Sequence, residues 1–266
     1  MIVRSNDADV FYIVQGDGAP VVLLHPFPIN HAFWHPVAEE LSTQYSLIMP
    51  DLRGLGASTP GDGAATMQKH AEDLKKVCDD VGVGKATFIG VSIGGYILFE
   101  FWRRLRERVV GLGFCDTRAN AETEEGKKTR AQAIQQIEER GVELFVDGLI
   151  PRLMGETTMR NRPDIVDEAR RMMLVSTGKG VIANQLGMME RPDSNSMLAT
   201  INVPTLFVGG SEDVGAPPDV IGEMHRQVRG SQLRIIPNAG HYSAMEKPLE
   251  FAGILREFLG GVNHTG

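Results

Sequence analysis

The stretch Gly90-Val91-Ser92-Ile93-Gly94-Gly95 decides how this chain of 266 residues folds. It places the pattern G-x-S-x-G between an apolar run that predicts a strand, residues 86–89, and one that predicts a helix, residues 93–105. This pattern predicts a tight strand-to-helix turn that lifts the serine hydroxyl clear of a strained backbone. Glycine fits two positions before and after Ser92, because side chains there would collide where strand and helix meet. Ser92 is therefore the candidate nucleophile.

Strand-like and helix-like segments alternate on both sides of this turn. Short apolar runs bounded by turn residues predict further strands at residues 9–14, 21–24, 46–49, 109–115, 205–208 and 233–236. The spacing of apolar side chains predicts further helices at residues 33–41, 67–81, 217–228 and 249–259. This alternation implies an α/β fold in which helices cover both faces of a mostly parallel sheet. Such sheets bind ligands at the carboxyl ends of their strands.

Residues 118–196 interrupt the alternation. They begin with a charged stretch at residues 122–130 and contain no strand signal. Three helices are predicted in them, at residues 131–149, 164–175 and 179–191. We expect this segment to be an inserted helical cap that lies as a lid over the carboxyl edge of the sheet. The core domain would then comprise residues 1–117 and 197–266.

A serine hydroxyl is a weak nucleophile unless a base accepts its proton. His241 follows the last predicted strand and is expected at the same sheet edge as Ser92. His25 also follows a strand and is the alternative, but we favour His241. The remaining histidines lie in polar or helical contexts that predict solvated side chains: His31, His35, His70, His225 and His264.

A histidine base needs a carboxylate that fixes its tautomer and stabilises the imidazolium. We favour Asp213, which follows the strand predicted at residues 205–208, over its neighbour Glu212. Asp116 and Asp51 also follow strands, and Asp116 stays open as the partner of the histidine. The competing interpretation of both is a turn residue bonded to backbone amides.

The composition narrows the classes of function. With 42% hydrophobic and 23% charged residues, the chain is typical of a globular protein. A net charge of -7 argues against nucleic-acid binding. Two cysteines, no secretory signal pattern and no apolar run of about 18 residues lead us to expect a cytoplasmic protein without membrane contact. No metal-ligand spacing is present, so no metal or other cofactor is expected. A homodimer is left open.

The chain order Ser92, Asp213, His241 resembles that of the α/β-hydrolase superfamily, and the resemblance extends over essentially the whole chain. The other matching pieces are His25-Pro26-Phe27-Pro28 and Asp51-Leu52-Arg53-Gly54-Leu55-Gly56-Ala57-Ser58. In this superfamily the second piece is mainly structural. The resemblance therefore implies the α/β-hydrolase fold and leaves Asp51 outside the catalytic set.

The resemblance also implies an oxyanion hole made of two backbone amides, those of Ile93 and Phe27. One lost donor of this kind typically costs about 100- to 1000-fold in rate. Pro26 stands where many relatives have glycine, and it cannot donate because proline has no N–H.

The resemblance further implies a cofactor-free serine hydrolase. Haloalkane dehalogenases and epoxide hydrolases of this fold use an aspartate at the position of Ser92, and epoxide hydrolases use lid tyrosines, which residues 121–195 lack. The chain is loosely similar to small capped esterases and lactonases, a group that includes 3-oxoadipate enol-lactonase. We expect hydrolysis of small carboxylic esters or lactones through an acyl-enzyme. The alternatives are a C–C bond hydrolase, a lyase, a perhydrolase or a ligand receptor without turnover.

Few lid side chains bear on the choice of substrate. Phe145 is the only aromatic residue of the predicted lid. The lid arginines Arg152, Arg160 and Arg171 are predicted to be solvated rather than to contact a substrate carboxylate.

Overall fold

The computed structural model describes residues 1–263. Eight strands lie within them: β1 (Ile2–Ser5), β2 (Ala8–Gln15), β3 (Ala19–Leu24), β4 (Tyr45–Pro50), β5 (Ala86–Val91), β6 (Val109–Cys115), β7 (Thr205–Gly210) and β8 (Gln232–Ile236). They form one sheet in the order β1-β2-β4-β3-β5-β6-β7-β8, in which only the β1–β2 and β2–β4 pairs are antiparallel. The predicted α/β fold is confirmed. The four-residue β1 was missed, since so short a strand leaves little periodic signal.

Helices cover both faces of the sheet. Of the twelve α-helices in residues 1–263, six lie outside the β6–β7 connection: α1 (His35–Leu41), α2 (Met67–Val81), α3 (Ile93–Leu105), α10 (Pro218–Gln227), α11 (Ser243–Glu246) and α12 (Pro248–Gly260). α1 packs against α12, and α2 packs against α3. Every residue of β5 and β7 is buried, which requires cover on both faces of the sheet. None of the helices in the described chain has the length and apolar character that crossing a membrane requires.

Within residues 1–263, the connection between β6 and β7 contains six helices and no strand, and we call it the helical insertion. It contains α4 (Glu124–Arg140), α5 (Val142–Leu153), α6 (Glu156–Asn161), α7 (Pro163–Met173), α8 (Gly178–Met189) and α9 (Asn195–Leu198). The single helix predicted at residues 131–149 is wrong, because Gly141 separates α4 from α5 with a φ of 83°. The short α6 and α9 were not predicted. The division of the chain into core and cap stays a prediction.

The parallel strands bring the candidate residues to one edge of the sheet. Ser92 directly follows β5 and Asp116 directly follows β6. The loops after β7 and β8 carry Asp213 and His241. A stack of buried rings fixes these strands beneath the edge, with Phe114 of β6 lying 4.4 Å from Phe99 and 5.5 Å from Phe207 between ring centroids.

Candidate active site

Ser92 lies in the tight turn that joins β5 to α3. Its φ of 54° and ψ of -114° form a strained conformation for a residue other than glycine, and its N–H donates to the carbonyl of Cys115 at 2.9 Å. A Cβ atom on Gly90 would lie 2.4 Å from the carbonyl carbon of Gly94. A Cβ atom on Gly94 would lie 2.8 Å from the carbonyl oxygen of Leu24. These clashes explain why glycine flanks the serine, for the steric reason that the sequence predicts.

The structure brings Ser92, His241 and Asp213 together. The Nε2 atom of His241 lies 2.8 Å from Ser92 Oγ, and its Nδ1 atom lies 2.8 Å from Asp213 Oδ2. The other carboxylate oxygen of Asp213 accepts hydrogen bonds from the N–H groups of Gly215 at 2.7 Å and Ala216 at 3.0 Å. In this arrangement Nδ1–H donates to the carboxylate, which leaves Nε2 free to accept the serine proton.

The charges of this group favour a basic imidazole. Burial opposes a charged imidazolium, but the adjacent Asp213 carboxylate outweighs it and raises the pKa of His241 above its usual 6.5. Burial alone would raise the pKa of Asp213. The attraction of His241 and the two amide hydrogen bonds outweigh burial and lower this pKa below 3.8. Asp213 therefore stays a carboxylate near pH 7, and its charge favours the protonated form of His241.

The alternative acid, Asp116, has other partners. Its carboxylate accepts hydrogen bonds from the N–H of Gly210 at 2.9 Å and from the hydroxyl of Ser243. Complete burial, and next the negative charge of Asp213, raise the pKa of Asp116 well above 3.8. His241 bonds Asp213 and makes no hydrogen bond with Asp116, which favours Asp213, and the choice between the two candidates stays a prediction.

The alternative base, His25, is buried in the loop after β3. Its Nδ1–H donates to the carbonyl of Pro26 at 2.8 Å, and its Nε2 accepts from the N–H of Leu52 at 2.9 Å. Burial lowers the pKa of His25 to about 4, so its ring is neutral near pH 7. With both nitrogens bonded to backbone groups, His25 joins two loops and has no free nitrogen for a base.

Asp51 serves as a turn residue, in line with the structural role that the resemblance implies. One of its oxygens lies 2.7 Å from both the backbone N and the Nδ1 of His31, and the other accepts from the N–H of Ala57 at 2.8 Å. Asp51 therefore organises the loop after β4.

Not every histidine predicted to be solvated is so. His35 is exposed, whereas His70 is only 2% exposed and its Nε2 lies 3.1 Å from Asn184 Oδ1, so the prediction for His70 is wrong. Burial lowers the pKa of His70 to about 3. His31 and His225 are half-buried, and His264 lies outside the described residues. Among residues 1–263, no group of three or more His, Cys, Asp or Glu side chains is placed to hold a metal ion.

Two backbone amides are predicted to form an oxyanion hole. That of Ile93 directly follows Ser92, and that of Phe27 lies in the loop after β3. Within residues 1–263, the N–H groups of Ile93 and Phe27 have no hydrogen-bond acceptor. The carbonyl of Phe27 accepts a hydrogen bond from the hydroxyl of Tyr242 at 2.8 Å, which fixes the orientation of this loop. Both amides are thus available as donors, and their role stays a prediction.

A cavity of about 340 Å³ is lined by Ser92 and His241. Its walls come from the sheet edge and from α4, α5 and α8 of the helical insertion. The apolar part of the lining comprises Phe27, Ala133, Phe145, Leu149, Leu153, Met188 and Val214. Phe145 faces Phe27 with 6.2 Å between ring centroids, a contact that the sequence did not predict because it joins the insertion to the loop after β3.

The same cavity has a charged part that the sequence analysis missed. Its charged lining residues are Glu122, Arg118, Arg130, Arg152 and Arg191. Only Arg152 was considered from the sequence. It is exposed, as predicted, but it also lines the cavity. The others could not be recognised because they are spread over residues 118–191 and meet only through packing of the insertion.

A buried carboxylate joins the helical insertion to the loop that carries His241. Glu246 is 4% exposed, and its carboxylate accepts from the N–H groups of Gly155 at 3.0 Å and Gly240 at 2.9 Å. The N–H of His241 itself donates to the carbonyl of Leu153 at 2.8 Å. The α5–α6 turn is therefore bonded directly to the backbone on which the imidazole stands.

Comparison with known proteins identifies esterases and lactonases of similar sequence or fold. A thermophilic esterase from Thermogutta terrifontis, solved with malate bound, is 38% identical, with a TM-score of 0.92 over 95% of this chain and 93% of its own. The 3-oxoadipate enol-lactonase 1 of Acinetobacter baylyi is 27% identical over 249 residues, which are 91% of this chain and 90% of that protein. An enol-lactonase from Burkholderia xenovorans, 22% identical, shares the fold with a TM-score of 0.91 over 98% of this chain and all of its own.

The strongest finding concerns the family. The family model described as alpha/beta hydrolase fold matches residues 19–248, which is most of the chain. The sheet order and the serine turn agree with this match, and of the three similar proteins named above one is an esterase and two are enol-lactonases. These names support a hydrolase. The chain belongs to the alpha/beta hydrolase fold family.

Proposed function

We propose that the protein is a serine hydrolase that cleaves small carboxylic esters or lactones through an acyl-enzyme. The observation that carries the proposal is the 2.8 Å contact between Ser92 Oγ and His241 Nε2, both of which line a cavity of about 340 Å³. Asp213 holds the other nitrogen of the same ring. This arrangement supports the roles of Ser92 as nucleophile, His241 as its base and Asp213 as the group that orients the base.

The first half of the reaction forms the acyl-enzyme. His241 Nε2 accepts the hydroxyl proton as Ser92 Oγ attacks the substrate carbonyl carbon, and the carbonyl oxygen becomes an oxyanion. The N–H groups of Ile93 and Phe27 donate to that oxyanion. The imidazolium then gives its proton to the alkoxide as the carbon–oxygen bond breaks, and an alcohol leaves.

The second half releases the acid. The neutral His241 accepts a proton from water, whose oxygen attacks the acyl carbon, and the proton returns to Ser92 Oγ as the ester bond to the serine breaks. Asp213 stays ionised throughout and stabilises the imidazolium in each half. For a lactone, the alcohol and the acid are two ends of one product.

The helical insertion has a role in this proposal. It supplies the cavity wall opposite the sheet edge, and we assign it the role of a cap that excludes water from the oxyanion. The names of the similar proteins support the substrate class, since one is an esterase and another an enol-lactonase.

Replacement of the nucleophile tests the proposal. Ser92→Ala is expected to lower kcat for a short p-nitrophenyl ester on the order of a millionfold, as in other serine-triad enzymes. Ser196→Ala, in an exposed serine of α9, is the matched control and keeps wild-type turnover. An organophosphonate should label the wild type at Ser92, as peptide mass spectrometry would show. A Ser92→Ala variant with most of its esterase activity would overturn the assignment.

The alternatives give different results in the same assay. Labelling at Ser92 with negligible turnover of every ester and lactone would indicate a receptor. Inertness toward esters together with cleavage of vinylogous diketones would indicate a C–C bond hydrolase.

A further inference from the structure

The charge of the cavity is opposite to that of the chain. The protein carries a net charge of -7, yet four arginines and a single glutamate line the cavity. A cationic cavity in an acidic protein attracts anions and rejects cations. Which of the four arginines is free to bind an anion depends on the partners of each.

Two of the four have protein partners. Glu122 accepts from Arg130 Nε at 2.5 Å and from Arg191 Nη1 at 2.8 Å. Arg130 also donates to Gln185 at 2.6 Å, and Arg191 to the carbonyl of Asn120 at 3.0 Å. Burial opposes the charge of Glu122, but these two arginines outweigh it and lower its pKa to about 2. Arg130 and Arg191 therefore act as structural cations.

The other two have no ion pair among the described residues, and they differ in exposure. Arg152 is exposed on α5, so water solvates it. Arg118 is partly buried just beyond the end of β6, and it makes no hydrogen bond or ion pair with any residue of 1–263. A partly desolvated guanidinium without a counter-ion is costly, and a carboxylate with two parallel N–H···O bonds offsets that cost.

Arg118 also lies close to the reacting groups. It lines the same cavity as Ser92 and His241, and its positive charge acts against protonation of His241. An anion held there would share this cavity with the carbonyl of an ester bound at Ser92. The apolar lining on the side of Phe27 and Phe145 suits the methylene groups between them.

We infer that the preferred substrates are esters or lactones that carry a free carboxylate, and that Arg118 binds this carboxylate. The inference rests on the proposed function and names the substrate class of the same site. Arg118 would then determine specificity without taking part in bond making or breaking.

A pair of nearly isosteric esters tests the inference. p-Nitrophenyl hydrogen adipate ends in a carboxylate, and p-nitrophenyl methyl adipate carries the same acyl chain and leaving group but ends in a methyl ester. The wild type is expected to show a kcat/KM about tenfold or more higher for the acid, as a charge-assisted hydrogen bond supplies. The ratio of the two values is the readout, because any change at His241 affects both esters alike.

Variants test whether Arg118 is the residue that binds the carboxylate. Arg118→Gln is expected to bring the ratio close to one, and Arg118→Lys to retain part of the preference because it keeps the charge but not the planar fork. Arg171→Gln is the matched control, since it removes an exposed arginine of α7 that does not line the cavity, and it keeps the wild-type ratio. Equal kcat/KM values for the two esters in the wild type, or an unchanged ratio in Arg118→Gln, would overturn the inference and leave the serine hydrolase standing.

A binding measurement separates the two proposals. If neither ester is cleaved, the proposed function fails. Binding of a carboxylate by Arg118 is then tested by calorimetry with monomethyl adipate and the Ser92→Ala protein. Binding that weakens about tenfold on adding Arg118→Gln supports the carboxylate site. Binding that is absent or insensitive to Arg118→Gln contradicts it.

Discussion

Two histidine–aspartate pairs occur within residues 1–263, and one of the two rings faces the hydroxyl of Ser92. His241 Nδ1 lies 2.8 Å from Asp213, and His31 Nδ1 lies 2.7 Å from Asp51. The aspartates of both pairs are almost completely buried. The distance between ring and carboxylate therefore does not distinguish a base from a structural pair.

The pairs differ in what the second ring nitrogen meets. His241 Nε2 lies 2.8 Å from Ser92 Oγ beside the cavity. The ring of His31 contacts the rings of Phe11 at 5.2 Å and His35 at 5.5 Å, and its Nε2 makes no hydrogen bond within residues 1–263. The comparison teaches that a histidine–carboxylate pair can act as a base only where a hydroxyl and an accessible cavity lie at its second ring nitrogen.

Replacing the two histidines gives the largest expected contrast. His241→Gln removes the base from the proposed mechanism and is expected to lower kcat on the order of a millionfold. His31→Gln keeps a donor toward Asp51 and is expected to change kcat less than about tenfold. Initial rates on p-nitrophenyl acetate measure both. Losses of similar size in the two variants would break the comparison.

The two aspartates give the next contrast. Asp213→Asn favours the wrong tautomer of His241, and kcat is expected to fall about 10,000-fold. Asp51→Asn turns an NH2 group toward donors from His31 or Ala57, so its cost is in stability, about 1 to 3 kcal/mol by urea unfolding. If Asp51→Asn unfolded like the wild type but had lost turnover, our assignment of the catalytic pair would be wrong.

The pH dependence of kcat/KM gives a further test. Below the pKa of His241, kcat/KM should fall about tenfold for each pH unit. His241 must be neutral to accept the proton, and Asp213 raises its pKa above 6.5. The rise in kcat/KM with pH should therefore have its midpoint above 6.5, and the residual activity of Asp213→Asn should have a midpoint at lower pH. Stopped assays from pH 5 to pH 9 would show this. An unshifted midpoint in Asp213→Asn contradicts the assignment of the carboxylate.

Asp116→Asn is expected to have the smallest effect. An amide at this position can still accept from the N–H of Gly210 and can donate to Ser243, so kcat should change less than about tenfold. Steady-state kinetics of Asp116→Asn and Asp213→Asn in parallel give the test. If Asp116→Asn lost more activity than Asp213→Asn, Asp116 would be the partner of His241.

The sequence predicts best what depends on neighbours along the chain. The helix expected at residues 67–81 is α2 with the same bounds, and Ser92 and His241 meet as their positions after β5 and β8 predict. Alternation of strands and helices is enough to bring the ends of parallel strands to one edge.

What the sequence could not predict depends on contacts between distant segments. The burial of His70 results from packing of α8, whose Asn184 bonds it, 114 residues further along the chain. The pairing of Glu122 with Arg191 likewise spans 69 residues. Neither contact leaves a local pattern, so the sequence did not predict the burial of His70 or the charged part of the cavity.

The carboxylate of Glu246 restricts how the cavity can open. Because it bonds both Gly155 and Gly240, the α5–α6 turn cannot swing outward without dragging the imidazole away from the serine. α4 has one buried residue, Ile137, and it makes polar contacts within the insertion through Arg130, which bonds Glu122 and Gln185. We therefore expect the α5–α6 turn to serve as the pivot and α4 as the moving flap, so that a substrate passes beneath α4 while the geometry around Ser92 stays intact.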